Sequence, residues 1–230
     1  MTTNRRDGMD TRGRLLDAAG LVFATKGFHD TKTAEICRTA KANVAAVNYY
    51  FGGKEKLYVK SRRHEFERSI AMYPPDGGMP AEAPAEDRLR GHIRALVGRF
   101  MDPISRDLDI AHREMSNPTG LLAEVMHKSI EPLRRMHLGI VRELLGPRVT
   151  EQEVQLCEMS IHAQCFVALM HERQRRLVPQ GARQPTPPRL NIDGPTLAEH
   201  IVRFSLAGLR EVKSTAGRPR RITGNQSLEA

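Results

Sequence analysis

The sequence predicts an all-α protein, a small three-helix unit containing a helix-turn-helix followed by a larger helical bundle. Three observations predict it. Apolar residues recur at three- and four-residue intervals through most of the chain, which is the period of a helix with one buried face. No stretch alternates apolar and polar residues as a half-buried strand would. The segment 73–85, YPPDGGMPAEAPA, holds four prolines and two glycines in thirteen residues, so it reads as a boundary between two helical units.

The first helix carries Leu15, Leu16, Ala18, Ala19, Val22 and Phe23 in register and stops at Lys26-Gly27, with Asp10 or Thr11 expected to cap its start. A basic arm with Arg5, Arg6, Arg12 and Arg14 leads into it. A second helix is expected from Thr33 to Ala40, and a third after Asn43, a good N-cap, over 44–50. Only Lys41 and Ala42 lie between them, so the two must meet steeply through a tight turn. Gly52-Gly53 breaks the chain, and a longer helix resumes over 54–72 on Leu57, Val59, Phe66 and Ile70.

Beyond the boundary, Leu89, Ile93, Leu96, Val97, Phe100 and Met101 mark a helix ended by Pro103, and a shorter one follows over 107–115. A long apolar stripe from Leu122 to Leu144 contains Pro132, which is expected to bend or break it. Thr150 with Glu153, and Thr196 with Glu199, have capping-box spacing and open helices expected at 150–177 and 196–212. Residues 179–194 form a proline-rich loop, and 213–230 lack apolar periodicity and are expected to be disordered. The organisation is therefore 10–72, 86–212 and a basic tail, 213–230.

Composition narrows the function. Hydrophobic residues make up 40% of the 230 and charged residues 27%, and the mean hydropathy is -0.47. No apolar run approaches about 18 residues, so no membrane span is expected. The N-terminus lacks the apolar core of a secretory signal, which makes a cytoplasmic, soluble protein the expectation. Cys37, Cys157 and Cys165 sit inside apolar helical patterns with no CxxC spacing, as reduced core thiols do.

The net charge of +9 points to polyanionic partners. Up to Arg68 there are fourteen Lys and Arg against eight Asp and Glu, so six of the nine excess charges fall in under a third of the chain. No GxSxG, P-loop, HExxH or GxGxxG after a strand is present, so no enzyme is expected. Neither a metal nor a cofactor is expected: His162 with Cys165, and His112 with Glu114, approach ligand spacing, but no second pair accompanies either.

The run TAEICRTAKANVAAVNYYFGGKEKL, from Thr33 to Leu57, resembles the DNA-binding motif of the TetR family of transcriptional regulators. Tyr49, Tyr50, Phe51, Lys54 and Leu57 supply the aromatic pair and the F-x-x-K-x-x-L pattern. Two positions depart from that pattern: Lys41 follows Ala40 where the family usually has glycine, and Asn48 sits where an aromatic is common. Less specifically, HREMSNPT at His112 to Thr119 and VRELLG at Val141 to Gly146 resemble the C-terminal domain of the CecR-like subgroup.

The resemblance implies a homodimer that binds a palindromic double-stranded DNA operator as a repressor and is released by a small-molecule effector. The last two long helices would pair with their twins. The alternative is an architectural or activator DNA-binding protein controlled by a protein partner. In a helix-turn-helix the recognition helix enters the major groove by its N-terminal end, which places Asn43, Val44, Ala45 and Ala46 at the bases. Ala45 and Ala46 suit a thymine methyl, and Asn48 can read adenine or contact a phosphate. Thr33, Tyr49 and Lys54 are implied phosphate contacts, while Phe51 reads as a core aromatic.

Polar groups inside the apolar helices of the second unit are candidate effector contacts, although each taken singly also suits a structural role: His112, Arg113, Asn117, His127, His137, His162, Gln164 and Cys165. Glu114 beside Arg113 suggests an ion pair. The segment GRPRR at 217–221 is similar to the core of minor-groove AT-hooks, or is simply a solubilising basic tail.

Overall fold

The computed structural model describes residues 3–177 and 192–217, with side chains over 10–167 and 192–217. Among the described residues are nine helices and no strand: α1 (Thr3–Lys26), α2 (Thr33–Ala40), α3 (Ala45–Phe51), α4 (Lys54–Met72), α5 (Ala85–Met101), α6 (Asp107–Ser116), α7 (Ala123–Leu145), α8 (Glu151–Leu177) and α9 (Gly194–Thr215). Most of the proline-rich loop, and the GRPRR motif beyond Gly217, lie outside the described residues.

α1 begins seven residues before the expected cap. Asp10 and Thr11 lie inside the helix and both engage Arg14 one turn on, Asp10 as an ion pair and Thr11 through its hydroxyl at 3.0 Å. A lone Gly8 is too weak a breaker to stop a helix whose next turns are well packed. α1 then lies against α2, α4 and α6. Leu15, Ala19 and Phe23 are fully buried there with Ile36, Val47 and Leu57, each large side chain contributing roughly 1.5–3 kcal/mol by leaving water. Ile110 of α6 and Leu122 just before α7 complete the same core at 0% exposure. Its packing therefore reaches past the 73–85 segment.

The second core is built around α5, which packs on α7, α8 and α9. Leu89, Ile93 and Val97 of α5 meet Ile140 and Val141, Ile161, and Ile201 and Val202. α7 runs unbroken through Pro132. A proline removes one intrahelical bond and crowds one turn, and in a 23-residue helix packed at both ends this does not separate the halves.

The first capping box is present, with Glu153 accepting from the Thr150 backbone N–H at 3.0 Å and Thr150 Oγ1 accepting from that of Glu153 at 3.3 Å. The second is not. Asp193 caps α9 by accepting from the Thr196 N–H at 2.7 Å, three residues before the expected cap, because Pro195 suits the first turn. Glu199 is drawn instead to Arg90 of α5 at 2.7 Å. α9 also continues to Thr215, three residues into the expected tail.

The segment 73–84 folds back on α5. Gly77 adopts φ +66° and lies so close to the backbone of Gly91 that a Cβ on it would collide, which explains a glycine at each position. This contact holds Pro75 over α5.

Candidate nucleic-acid interface and sensing core

The turn between α2 and α3 requires one residue in the left-handed region. Lys41 supplies it at φ 50°, ψ 47°, as the only non-glycine residue with positive φ among those described. There the Lys41 and Ala42 N–H groups close onto the Arg38 and Cys37 carbonyls. Asn43 Oδ1 then accepts from the Ala45 N–H at 2.9 Å, starting α3. This leaves the Asn43 amide nitrogen, rather than its oxygen, to face outward.

On α3, Val47 and Phe51 are buried, Ala46 and Tyr50 half-buried, and Val44, Ala45, Asn48 and Tyr49 exposed. Tyr49 is 82% exposed, the most open of the large hydrophobic side chains described. Phe51 is a core residue, as expected. Thr33 and Lys54 stand half-buried at the starts of α2 and α4, flanking this face. The Lys54 ammonium lies 4.3 Å from the Phe28 ring centroid. Burial lowers its pKa, and Asp30 opposes the shift.

Between this face and the second core lies a layer of buried polar groups. Glu114 is not paired with Arg113. It accepts from Tyr58 Oη at 3.0 Å, the Thr119 N–H at 3.0 Å, Thr119 Oγ1 at 2.9 Å and the Gly120 N–H at 3.1 Å. Arg113 donates instead to the Thr25 carbonyl at the end of α1 at 2.6 Å. The HREMSNPT motif is thus a clamp that ties the α6–α7 turn to α4 and α1. Deeper, Arg99 of α5 pairs with Asp107 of α6, which also accepts from Ser105 Oγ at 2.8 Å. Arg62 of α4 is 1% exposed, its guanidinium 5.3 Å from the Phe66 ring, with Nε and Nη1 unpartnered.

The sensing candidates separate. His112 and Arg113 are half-buried on α6, and Asn117 and His127 are exposed. Gln164 donates to Ser205 on α9 at 3.3 Å. Cys165 is buried, and burial pushes its thiol up to about 12. His137 and His162 converge with a residue the sequence reading missed, His92 of α5, and with Glu158 of α8. The three imidazoles stack with centroids 4.4 to 5.8 Å apart. No local spacing could have found them, since they come from three helices. Burial foremost, then the neighbouring His137, lowers His92 to about 3 and His162 to about 4, so both rings are neutral near pH 7. A cavity beside them, lined by Tyr73, Pro75, His92, Leu96, Arg99 and Leu133, has room for about one water molecule.

Residues 15–60 match the family of bacterial regulatory proteins called tetR, and residues 85–209 match the C-terminal domain of the HTH-type transcriptional dual regulator CecR. The chain belongs to the TetR family. TetR-family proteins are DNA-binding transcriptional regulators. Among curated relatives, the HTH-type transcriptional repressor NicS of Pseudomonas putida is 41% identical over 142 residues, 60% of this chain and 58% of the relative. The dual regulator CecR of Shigella flexneri is 29% identical over 140 residues, 55% of this chain and 60% of the relative. The chain thus spans about three-fifths of the length of each.

The fold agrees with a TetR-like regulator from Rhodococcus sp. RHA1 at a TM-score of 0.65 and 18% identity, over 87% of this chain and 96% of that one. It agrees likewise with the fatty acid degradation regulator FadR of Bacillus halodurans at 0.63 and 15%, with the same coverage. At such identities the likeness concerns the TetR fold alone. Among the described residues no helix is long and apolar enough to cross a membrane.

Proposed function

We propose that this protein is a dimeric repressor that binds a palindromic operator and is released by a small-molecule effector. The observation that carries the DNA-binding half is the outward face of α3, where Val44, Ala45, Asn48 and Tyr49 stand exposed beside the starts of α2 and α4. Val44 and Ala45 present only apolar surface, so Asn48 and the Asn43 amide are the base-edge hydrogen-bonding groups of the helix. Tyr49, Thr33 and Lys54 contact phosphates, which position the helix without specifying sequence.

Dimerisation is supported by an apolar face on α8 and α9. Leu156, Met159, Phe166, Val167 and Phe204 are each 40% or more exposed, and Leu156 and Phe204 line a groove that includes Gly208 and Val212. Four helices from two copies would cover it, and two recognition helices would then match successive half-sites. Repression is the mode named for the Pseudomonas relative. Release would run through the Glu114 clamp and the Arg99–Asp107 pair, since an effector favouring one arrangement of α5 to α7 shifts α1 and α4 through them.

The test is selection of bound fragments from genomic DNA by the purified protein, followed by titration of the recovered site at two salt concentrations. A palindromic site bound with a steep salt dependence is expected, whereas weak binding indifferent to sequence would overturn the reading. In the same titration Lys54→Ala should weaken binding evenly across sequences and lower the salt slope by about one unit. An unchanged slope would remove Lys54 from the phosphate contacts.

A further inference from the structure

One ring nitrogen from each of His92, His137 and His162 lies within 4.8 Å of the other two, and the hydrogen bonds around them orient those nitrogens. His92 Nδ1 lies 2.8 Å from the Pro75 carbonyl, which can only accept, so Nδ1 carries the proton and Nε2 keeps its lone pair. His162 Nδ1 lies 3.4 Å from Glu158 Oε1, which favours the same tautomer. The two Nε2 atoms then face each other at 3.5 Å with lone pairs opposed. His137 is completely buried, has no hydrogen-bond partner on either ring nitrogen, and turns Nδ1 toward the same carboxylate at 3.9 Å. Two acceptor nitrogens thus face each other with no donor between them, beside an unpartnered third imidazole, a costly arrangement for buried groups.

We propose that His92, His137 and His162 bind a divalent transition-metal ion of the zinc class, with Glu158 and the Pro75 carbonyl holding the imidazoles in the metal-binding tautomer. A cation supplies what the two facing lone pairs lack, and takes the third imidazole as a further ligand. Imidazole nitrogens bound at about 2.0–2.1 Å to a tetrahedral ion stand roughly 3.4 Å apart. The His92–His162 pair already has this spacing, and a His137 ring nitrogen lies within 4.8 Å of both.

A carboxylate or carbonyl behind each ring is the usual outer partner of a ligating histidine. Three imidazoles select zinc, cobalt, nickel or copper over magnesium or calcium, which take oxygen ligands. His162 is 37% exposed, which gives the ion an entry route. The bound ion would pin α5, α7 and α8 together.

The experiment uses the full chain, stripped with a chelator and titrated with cobalt(II) chloride while the visible ligand-field bands are followed, then with zinc chloride against a chromophoric chelator. One equivalent per chain with the intense bands of four-coordinate cobalt is expected. His162→Gln, partly exposed and so compatible with folding, should abolish those bands while leaving the circular dichroism unchanged. Glu158→Gln should weaken zinc binding about 10- to 100-fold. His29→Gln, at an exposed position between α1 and α2, should leave binding intact. Uptake of less than one equivalent, weak six-coordinate spectra, or binding that survives in folded His162→Gln would overturn the proposal. None of these readouts depends on DNA binding.

Discussion

Lys41 shows how one residue can carry a cost that its position requires. A side chain in the left-handed region is disfavoured by about 1–2 kcal/mol, and glycine avoids this but has more freedom to lose on folding. Lys41→Gly should therefore stabilise the protein modestly, by up to about 1 kcal/mol, whereas Lys41→Val should destabilise it by about 1–2 kcal/mol, both read from urea denaturation. Equal effects in the two variants would mean that the turn tolerates any backbone. Glu114 is the opposite case, a residue whose surroundings depend on it. Glu114→Ala strands the Tyr58 hydroxyl and the Thr119 and Gly120 N–H groups, and should cost about 2–4 kcal/mol by the same measurement. The sequence displayed Glu114 next to Arg113 and invited pairing. Adjacent helical residues point apart, so each found its partner on another element.

The elements were most legible where local chemistry terminates them. α2 and α4 begin and end where Thr33, Ala40, Gly53 and Met72 suggested, since a tight turn or a glycine pair leaves few alternatives. Helix ends were misread where two signals competed: Asp193 outbid Thr196 for the start of α9, and Arg14 drew in the residues expected to cap α1. The histidine site was illegible for a different reason. His92, His137 and His162 share no spacing, and only the packing of α5 between α7 and α8 brings them together.

That packing depends on the close contact between α5 and the 73–84 segment. Gly91→Ala would place a Cβ 2.8 Å from the Asp76 carbonyl oxygen, displace Pro75 from His92, and cost about 1–3 kcal/mol. The same substitution at Gly139 of α7, which has nothing within 4 Å, should raise stability by about 0.5–1 kcal/mol. Thermal melts of the pair should shift in opposite directions, and a common direction would refute the packing argument.

At the scale of the whole molecule, the proposed function couples the apolar face of α8 and α9 to the exposed face of α3, because recognition helices act in pairs only if the second core holds two copies together. Phe204→Glu places a charge on that face, where Phe204 is 64% exposed in the single chain. Sedimentation should then report a monomer, and affinity for a full palindrome should fall roughly hundredfold or more as the linkage of two sites is lost. A dimer that persists would place the interface elsewhere. The basic charge of the first 68 residues, visible in the sequence, belongs to this scale too, because it describes a field rather than a contact.

The burial of Ile110 and Leu122 among the side chains of α1, α2 and α4 bears on how the molecule can be divided. A fragment cut in the 73–84 segment, where the chain invites cutting, would leave with an open hollow in its own interior. A chimera joined there would inherit another regulator's α6 against a surface shaped for this one. The natural seam for exchanging one sensor for another lies farther along α7, after the residues that the DNA-reading half has claimed as its own.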